Sequence, residues 1–410
     1  MADAALKVKE HNEYPALKQN YPVFRFLGGN LISFLGDQIY LIAIPLMVLA
    51  MTGSPVNMGI VAALERLPVL LQPLTGILSD RFNRKHLLLV CDLGRCFLVG
   101  LIGALFMVDL LEIWFLYIGA LLVGLFSQIY HTSQFAAVPG MVRREDLHEV
   151  NSIDTGIFNT AVLIGPGLGG LIISLYNPGI ALLANSFSFL VAFLAVLSIS
   201  LKEKEVVQPK RSFVADIKEG FQFVIHTKPI LMTNLAMLGS VFGTTLFLTL
   251  MVFHLKSSVH FTSNQIGWLL SIGGVGAIAG ALVTNQLRKR FSYRRILFLA
   301  STFGGLSIVL FGSAENFLWL VLFNMMGTIA ASMMNPCIIT IRQTLTPERL
   351  LGRVQATSRF MTWTLMPVAA FLAGISADKI GTHHTIILGG MISILASVFY
   401  LHPSLKDKIE

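Results

Sequence analysis

Charged residues are scarce in this sequence: Asp, Glu, Lys and Arg together make up 13% of its 410 residues, whereas hydrophobic residues make up 54%. Soluble globular domains carry about 25% charged residues, so an architecture built mainly of water-exposed domains is excluded. Cysteine is also rare, with three residues in the chain. Cys91, Cys96 and Cys337 have neither metal-ligand nor redox spacing, so we interpret them as small packing residues and predict no metal site.

Signatures of several functional classes are missing as well. The net charge is +8, but the basic residues are spread over short segments, so we predict no nucleic-acid partner. No nucleophile or metal constellation is visible, so we predict that the protein is not an enzyme and has no cofactor. The first 22 residues contain no short apolar core with a cleavage site, so the first apolar run is expected to remain in the chain as an insertion signal.

Long apolar runs are what the sequence has in abundance. Twelve runs of about 20 residues recur along the chain, which is enough for a helix to cross the roughly 30 Å hydrocarbon layer of a bilayer. The sequence therefore predicts an all-α integral membrane protein with twelve transmembrane helices in two six-helix bundles. We number the predicted spans 1 to 12, and they cover residues 23–50, 55–79, 86–108, 112–138, 152–175, 179–200, 229–255, 264–286, 294–313, 316–341, 355–377 and 384–402.

The basic residues give these spans an orientation. Of the 30 Lys and Arg residues, all but five lie in or next to the terminal segments and the loops on one side of the membrane. Cytoplasmic loops carry an excess of Lys and Arg, so this side is predicted to be the cytoplasm, with both termini inside. The five exceptions are Lys256, Lys379, Arg66, Arg95 and Arg359.

A charged segment separates the first six spans from the last six. One helical face of this linker is apolar, which predicts an amphipathic helix on the membrane surface; a disordered tether is the alternative. The apolar face comprises Phe213, Ile217, Phe221 and Val224. The predicted domains are a cytoplasmic N-terminal arm (1–22), an N-terminal six-helix bundle (23–200), a cytoplasmic linker (201–228), a C-terminal six-helix bundle (229–403) and a cytoplasmic tail (404–410).

Two similar basic segments occupy equivalent places in the two halves. Residues 76–85 follow span 2 with the sequence Gly-Ile-Leu-Ser-Asp-Arg-Phe-Asn-Arg-Lys, and residues 280–289 follow span 8 with Gly-Ala-Leu-Val-Thr-Asn-Gln-Leu-Arg-Lys. Repeated halves of this kind are typical of transporters, in which the substrate site lies near the bilayer midplane between the repeats.

Two segments, residues 76–85 and residues 161–170, carry a family resemblance. Residues 76–85 resemble the signature loop of the major facilitator superfamily, G-x-x-x-D-R-x-G-R-[RK], with Asn83 in place of its second glycine. Asn tolerates a positive φ better than most residues, so this departure is mild. Residues 161–170 resemble the helix-5 antiporter motif G-x-x-x-G-P-x-x-G-G, which is associated with exporters, with Ala161 in place of the first glycine.

Three further segments, residues 35–37, 80–93 and 347–354, resemble the subgroup that contains macrolide-efflux and siderophore exporters, among them the enterobactin exporters. The resemblance covers essentially the whole chain. It implies the major facilitator superfamily fold and a secondary active transporter of the bacterial inner, or plasma, membrane, which exports an amphipathic small molecule by alternating access as a proton antiporter. The expected partners are this substrate, protons and membrane lipid, and we expect a monomer. A lipid or lysophospholipid translocator and a membrane receptor that does not transport are the alternatives.

The signature loop also has a physical interpretation. Asp80 lies at the inner end of span 2, where it can accept hydrogen bonds from the N-terminus of span 11 and hold the cytoplasmic side closed. Its basic neighbours are expected to pair with Glu145, Asp146 or Asp154; the alternative is that they only set the topology. The predicted latch consists of Gly76, Asp80, Arg81, Arg84 and Lys85.

The helix-5 motif predicts a stiff and closely packed interface. Its glycines allow a neighbouring helix to approach, and its proline bends the span. Ordinary glycine-rich membrane packing is the alternative. The motif residues are Gly165, Pro166, Gly169 and Gly170.

Ionisable residues inside spans are costly and are therefore functional candidates. Asp37 lies roughly 21 Å along span 1 from its cytoplasmic end, and Glu65 and Arg66 lie roughly 15 Å from the outer end of span 2, so these three residues are expected to meet. We predict that Asp37, Glu65 and Arg66 couple transport to protons. A permanent ion pair that stabilises the bundle is the alternative. The arginine that the resembled family often carries in helix 4 for proton handling has no counterpart here.

Other ionisable residues have simpler interpretations. Asp92 and Arg95 are three residues apart on span 3 and are expected to form a structural pair. His131, near the inner end of span 4, is either a proton relay or a side chain that reaches the interface. Four histidines are expected to be solvated residues of the outer loops, namely His254, His260, His383 and His384.

Polar side chains follow one face of spans 1, 4 and 10, and more weakly of span 7. In the fold that the chain resembles, these four helices line the central cavity, so we predict that the polar residues do so as well. Hydrogen bonding between helices is the alternative. The predicted cavity-lining residues are Asn30, Ser33, Tyr40, Ser127, His131, Gln134, Thr245, Thr249, Asn324, Thr328, Ser332 and Asn335.

Overall fold

The structure is a computed structural model, and it describes residues 14–143, 145–200 and 213–405. For a few residues in these ranges, Asp80 and Arg81 among them, it describes the helical backbone only. The described residues are mostly helical and include no β-strand, as the apolar runs predict.

Fifteen α-helices, joined by short turns and 3-10 segments, make up the described ranges. They are α1 Tyr21–Thr52, α2 Pro55–Arg66, α3 Gln72–Arg81, α4 Arg84–Met107, α5 Ile113–Ala137, α6 Leu147–Leu175, α7 Pro178–Leu197, α8 Phe213–His226, α9 Lys228–Ser257, α10 Ser263–Leu287, α11 Tyr293–Gly312, α12 Phe317–Leu345, α13 Leu351–Trp363, α14 Met366–Ile380 and α15 Thr382–Ser397.

Eleven helical segments of the described residues are long and apolar enough to cross a membrane, with α13 and α14 forming one of them. The remaining predicted span, 55–79, is divided into α2 and α3 by a 3-10 turn, Leu67–Leu71. Pro68 lies in this turn and Pro73 in the first turn of α3. Proline has no N–H to donate and its ring crowds the preceding turn, so two prolines five residues apart favour the change from α-helix to a 3-10 turn in this segment. The chain therefore has the predicted helical membrane fold, with its second span broken.

The helix α6 begins at Leu147, five residues before the predicted start of span 5. Arg143 donates from Nε to Asp146 Oδ2 at 2.7 Å and from Nη2 to Asp146 Oδ1 at 3.2 Å, which holds the carboxylate at the positive end of the helix. This hydrogen-bonded pair, together with the charge of Glu145, raises the pKa of Arg143. The ion pair therefore stabilises the first turn of α6, which precedes the apolar run from which span 5 was predicted.

The chain divides into two compact units that do not follow the sequence halves. One consists of Met1–Ile44 and Leu71–Val207, and the other of Pro45–Leu70 and Gln208–Glu410. In the first, α4 packs against α5 and α7. In the second, α15 packs against α9 and α11, and α2 packs against α14. The end of α1 and the whole of α2 therefore belong with helices of the C-terminal half.

Candidate functional site

The most deeply buried ion pair of the first unit lies on α4. Arg95 Nη2 donates to Asp92 Oδ1 at 2.6 Å, and the two side chains are 1% and 0% exposed. The spacing of three residues places both side chains on one helical face. The predicted structural pair is therefore confirmed.

Two aromatic rings pack against the guanidinium of Arg95. Its central carbon lies 4.2 Å from the ring centroid of Tyr130 on α5 and 4.3 Å from that of Phe189 on α7. Cation–π contacts of this kind favour the charged form of a desolvated arginine. Asp92 Oδ2 and Arg95 Nε are buried without a hydrogen-bond partner among the described residues. The pair is thus packed on several sides, and one atom of each partner makes no hydrogen bond there.

Asp37 on α1 is half-buried and interacts electrostatically with Asp92, Arg95 and Tyr130. We call Asp37, Asp92 and Arg95 the Asp37 cluster. In this cluster, two carboxylates interact electrostatically with one arginine. The protonation of a carboxylate in such a group depends on small changes in its distance from the other charges.

The other two predicted proton-coupling residues are in the second unit. Arg66 Nη1 donates to the carbonyl of Ala62 on its own helix at 3.1 Å, and Glu65 interacts electrostatically with Arg66. A meeting of these two residues with Asp37 stays a prediction. The described electrostatic partners of Asp37 include Asp92 and Arg95 on α4. The sequence could not indicate these, because the spacing along one helix does not reveal which neighbouring helix it contacts.

A chain of hydrogen bonds connects α1, α5 and α6 within the first unit. Tyr130 donates its hydroxyl to Asn30 Oδ1 at 3.0 Å, and Asn30 Nδ2 donates to Asp154 Oδ1 at 3.3 Å. Gln134 Nε2 donates to the same oxygen at 3.5 Å. Asn30 is 1% exposed, so this predicted cavity residue is part of a buried polar network.

The remaining predicted cavity residues of the first unit differ in exposure. Ser33 and Tyr40 are buried, Ser127 is half-buried, and His131 is exposed with its ring centroid 6.1 Å from that of Tyr130. Ser33 lies between Asn30 and Asp37 on α1 and its hydroxyl has no hydrogen-bond partner in the described ranges. A cavity-lining role for these residues stays a prediction.

In the second unit, two predicted cavity residues bind a neighbouring helix. Asn324 Nδ2 donates to the carbonyl of Leu269 at 3.2 Å, and Thr328 Oγ1 donates to that of Gly273 at 2.7 Å. These are hydrogen bonds from α12 to the backbone of α10, which is the alternative that the sequence left open. Of the other predicted residues, Thr245 and Thr249 are buried, Ser332 is half-buried and Asn335 is exposed.

The glycines of the helix-5 motif lie against α1. A Cβ atom on Gly165 would be 2.5 Å from Gln38 Cβ, and one on Gly169 would be 3.1 Å from Ile39 Cα. Pro166 and Gly170 are buried in the same helix, α6. A larger side chain at Gly165 or Gly169 would therefore require α1 or its side chains to shift away from α6.

The predicted latch is only partly visible. The side chains of Asp80 and Arg81 lie outside the described residues, and Gly76 has open space beside it. Arg84 Nη1 donates to the carbonyl of Ala136 at 2.8 Å. Lys85 Nζ donates to the carbonyls of Leu197 and Ile199 at 3.0 and 2.6 Å.

These two cations therefore bind carbonyls at the C-terminal ends of α5 and α7, where the helix dipole is negative. Glu145 and Asp146, two of the three acids that were expected to pair with this loop, form ion pairs with Arg143. Asn83 has a φ of −56° and its side chain accepts from the backbone N–H of His86 at 2.9 Å. Asn83 is thus an N-cap of α4, and the positive φ that the glycine comparison suggested is not needed.

The linker helix α8 is fixed to the N-terminal end of α13. Glu219 accepts hydrogen bonds from Arg349 at 2.6 Å and from Arg353, and a Cβ atom on Gly220 would be 3.0 Å from the carbonyl oxygen of Arg353. Val224 is buried in an apolar cluster with Ile230, Leu350 and Val354. The predicted apolar face is therefore divided: Val224 packs against protein, whereas Ile217, Phe221 and Ile225 form an exposed stripe.

We expect Glu219→Gln to loosen this helix. The substitution removes two ion pairs that are partly exposed, each worth at most about 1 kcal/mol, so amide exchange in α8 should become roughly two- to fivefold faster. Hydrogen exchange of the purified protein measures this, with Lys218→Gln on the exposed side as the control. Equal exchange in both variants would show that the ion pairs do not hold α8.

One histidine prediction is wrong. His254 is not a solvated loop residue: it lies in α9, is 4% exposed, and its Nδ1 is 2.7 Å from Thr382 Oγ1 at the start of α15. The helix continues to Ser257, so His254 lies in its last turn, and the hydroxyl of Thr382 gives the buried ring a hydrogen-bond partner.

Residues 15–408 match the protein family described as transmembrane secretion effector. The chain belongs to this family. Among similar members of the major facilitator superfamily, the uncharacterised transporter YfiS of Bacillus subtilis is 24% identical over 95% of this chain and 94% of its own length. The multidrug efflux pump Tap of Mycolicibacterium fortuitum is 27% identical over 92% and 94%, and the enterobactin exporter EntS of Citrobacter koseri is 28% identical over 93% and 89%.

Solved structures have the same fold. A bacterial homologue of the iron transporter ferroportin, in an inward-facing state, has a TM-score of 0.74 at 16% identity and covers 94% of this chain and 99% of that one. The nucleoside transporter NupG has a TM-score of 0.71 at 14% identity, with 93% and 98% covered. This transmembrane secretion effector is therefore a multi-pass membrane transporter of the major facilitator superfamily, and not an enzyme.

Proposed function

We propose that this transporter exports an amphipathic small molecule, a drug or a siderophore, by alternating access, and that protons moving inward drive the export. The similar proteins include a multidrug efflux pump and enterobactin exporters, which supports this substrate class. The flexible side chains of Met325, Met326 and Met333 on α12 suit a ligand that is largely apolar.

The observation that carries the proton coupling is the Asp37 cluster. A carboxylate inside the membrane is pushed towards its protonated form by desolvation and towards its charged form by a nearby arginine. Arg95 packs against rings on α5 and α7 and is paired with Asp92 on its own helix, so its position depends on these helices and not on α1. A small change in the separation of α1 and α4 would therefore change the proton affinity of Asp37.

The proposal also includes the orientation of the chain in the membrane and the helices that move during the transport cycle. The distribution of Lys and Arg supports cytoplasmic termini in a bacterial cell membrane. The tight contact of α6 with α1 at Gly165 and Gly169 supports movement of these helices together. We propose that Asp80 closes the cytoplasmic side during the cycle, as the signature motif predicts.

We expect Asp37→Asn to abolish export that is driven by a pH gradient, because the amide cannot take up or release a proton. The measurement uses protein reconstituted in proteoliposomes, with erythromycin and enterobactin as probe substrates and with or without an imposed gradient. The flux of the variant should equal the flux of the wild type without a gradient. Asp109→Asn is the matched control: Asp109 is an exposed residue with a φ of 55°, a conformation that Asn adopts readily.

Other outcomes would contradict parts of this proposal. Undiminished gradient-driven flux in Asp37→Asn would remove Asp37 from the coupling. Wild-type protein that moves a labelled lysophospholipid but neither probe would be a lipid translocator. Binding of a probe without any flux would indicate a receptor.

A further inference from the structure

Tyr130 connects three carboxylates of the first unit electrostatically. In the described part of the chain, it interacts with Asp37, Asp92 and Asp154, and with one cation, Arg95. A proton gained or lost at one of these carboxylates therefore changes the electrostatic surroundings of Tyr130 and, through it, of the others. Cys91 beside Asp92 and His131 beside Tyr130 are the other titratable side chains near these groups.

Of the three carboxylates, Asp154 is nearest to the cytoplasmic end of its helix as the termini are oriented here. It is the eighth residue of α6, about 10 Å from the start of the helix. Its side chain is half-buried, while Asn151, Ser152 and Thr155 around it are exposed. No Lys or Arg of the described residues forms an ion pair with it. The described partners of Asp154 are the neutral amides of Asn30 and Gln134, so proton exchange with water at Asp154 disturbs none of the described ion pairs.

The hydrogen bonds of Asp154 depend on its protonation state. As a carboxylate it only accepts, and it receives the N–H groups of Asn30 and Gln134. The Asn30 amide is then oriented with its oxygen towards Tyr130, whose hydroxyl donates to it. A protonated Asp154 that donates to Asn30 requires the amide to turn over, and the N–H of Asn30 then faces the Tyr130 oxygen. The Tyr130 O–H then no longer has Asn30 as its acceptor and can donate to another group. The carboxylates of Asp92 and Asp37 interact electrostatically with Tyr130 and are candidates for this acceptor.

We propose that Asp154 is a proton-binding site of this transporter on its cytoplasmic side, and that Asn30 and Tyr130 pass its protonation state to the Asp37 cluster. The proton is released from an Asp154 oxygen to cytoplasmic water when the carboxylate forms, and it is taken up again at the same atom. No other bond is made or broken. The unused hydrogen-bonding atoms of Asp92 and Arg95 are the groups that can respond to a change at Tyr130. This inference rests on the proposed proton coupling and adds a second site to it.

The test combines two measurements on the full-length protein. Infrared difference spectra between acid and neutral pH record the protonation of buried carboxylates without any transport. Gradient-driven flux of erythromycin and enterobactin is measured in proteoliposomes. Asp154→Asn keeps an acceptor oxygen for Asn30 and Gln134 but cannot titrate, so one carboxyl band should disappear and the gradient should no longer stimulate flux. Asp154→Glu should retain both signals, and Glu149→Gln, at an exposed site on the same helix, should leave both unchanged.

A further variant tests the connection. Tyr130→Phe keeps the ring against Arg95 but removes the hydroxyl, so the carboxyl band of Asp154 should remain, its pH midpoint should shift by about one unit, and the stimulation of flux should fall. An unchanged midpoint with unchanged flux would overturn the connection. A wild-type flux that ignores the gradient would refute the proposed proton coupling itself. The Asp154 site alone would be refuted by a different result. In that case the wild-type flux would follow the gradient, and Asp154→Asn would show the same flux response and the same infrared spectrum as the wild type.

Discussion

Replacing Asp92 by Asn is expected to destabilise the first unit by about 3–5 kcal/mol, enough to prevent recovery of folded protein. The substitution leaves the guanidinium of Arg95 buried, at 1% exposure, without the carboxylate oxygen that lies 2.6 Å from it. The rings of Tyr130 and Phe189 favour the cation but do not neutralise it. The measurement is the thermal unfolding midpoint of detergent-solubilised protein, together with the monodisperse fraction on size exclusion.

The double variant Asp92→Asn with Arg95→Gln shows whether the lost charge balance is the cause. It replaces the ion pair by two neutral amides of similar size, so the fully buried guanidinium no longer lacks its hydrogen-bonded carboxylate and most of the stability should return. Two results would contradict the argument: a single variant as stable as the wild type, or a double variant as unstable as the single one. Because the double variant lacks Arg95, its gradient-driven flux also tests whether Asp37 needs that cation.

The helical fold could be predicted from the sequence because it depends on local properties. The length and apolarity of each run decide whether a helix can cross a bilayer, and both can be counted. The pairing of Asp92 with Arg95 could be predicted for the same reason, since a spacing of three residues fixes their positions on α4. The family resemblance extended this to the architecture.

Contacts between helices are what the sequence does not specify. Asp37 is expected to meet Glu65 and Arg66 from depth alone, and this stays a prediction; the described electrostatic partners of Asp37 include Asp92 and Arg95 on α4, which depth does not indicate. Asn324 follows a polar stripe that predicts a cavity, yet it donates to the backbone of α10. The same residue types serve both purposes in membranes, so a stripe cannot distinguish them.

The predicted bounds of helices and loops were inaccurate where a single side chain has more influence on the backbone than the apolar pattern. A 3-10 turn that contains Pro68 and is followed by Pro73 divides the second span, although the run is mostly apolar on both sides of it. His254 was placed in a loop because it is polar, but a partner hydroxyl on Thr382 allows it to be buried. Asp154, which carries the proposed second proton site, was considered only as an ion-pair partner because Asn30 and Tyr130 are far from it in sequence.

The largest steric effect is expected for Gly243→Ala. A Cβ atom at this position of α9 would be 2.1 Å from the carbonyl oxygen of Gly389 on α15, and 2.5 Å from Ser393 Oγ. The serine can rotate, but the carbonyl belongs to a helical backbone and cannot move alone. The two helices must therefore separate, and we expect a loss of about 1–3 kcal/mol or more from overpacking. The second unit should unfold at a lower temperature and pack less tightly along α15.

Gly156→Ala is the matched control: it makes the same substitution, but we expect it to raise the unfolding temperature and not to lower it. Gly156 lies in α6, and no atom within 4 Å would meet its Cβ. Alanine at an open helical position is favoured over glycine by about 0.5–1 kcal/mol, so this variant should unfold at a slightly higher temperature than the wild type. If both variants unfolded at the same temperature, the close contact of α9 with α15 would not limit stability. Gly243 tolerates no Cβ because of its neighbour and not because of its own helix, so the difference between the two variants measures that contact directly.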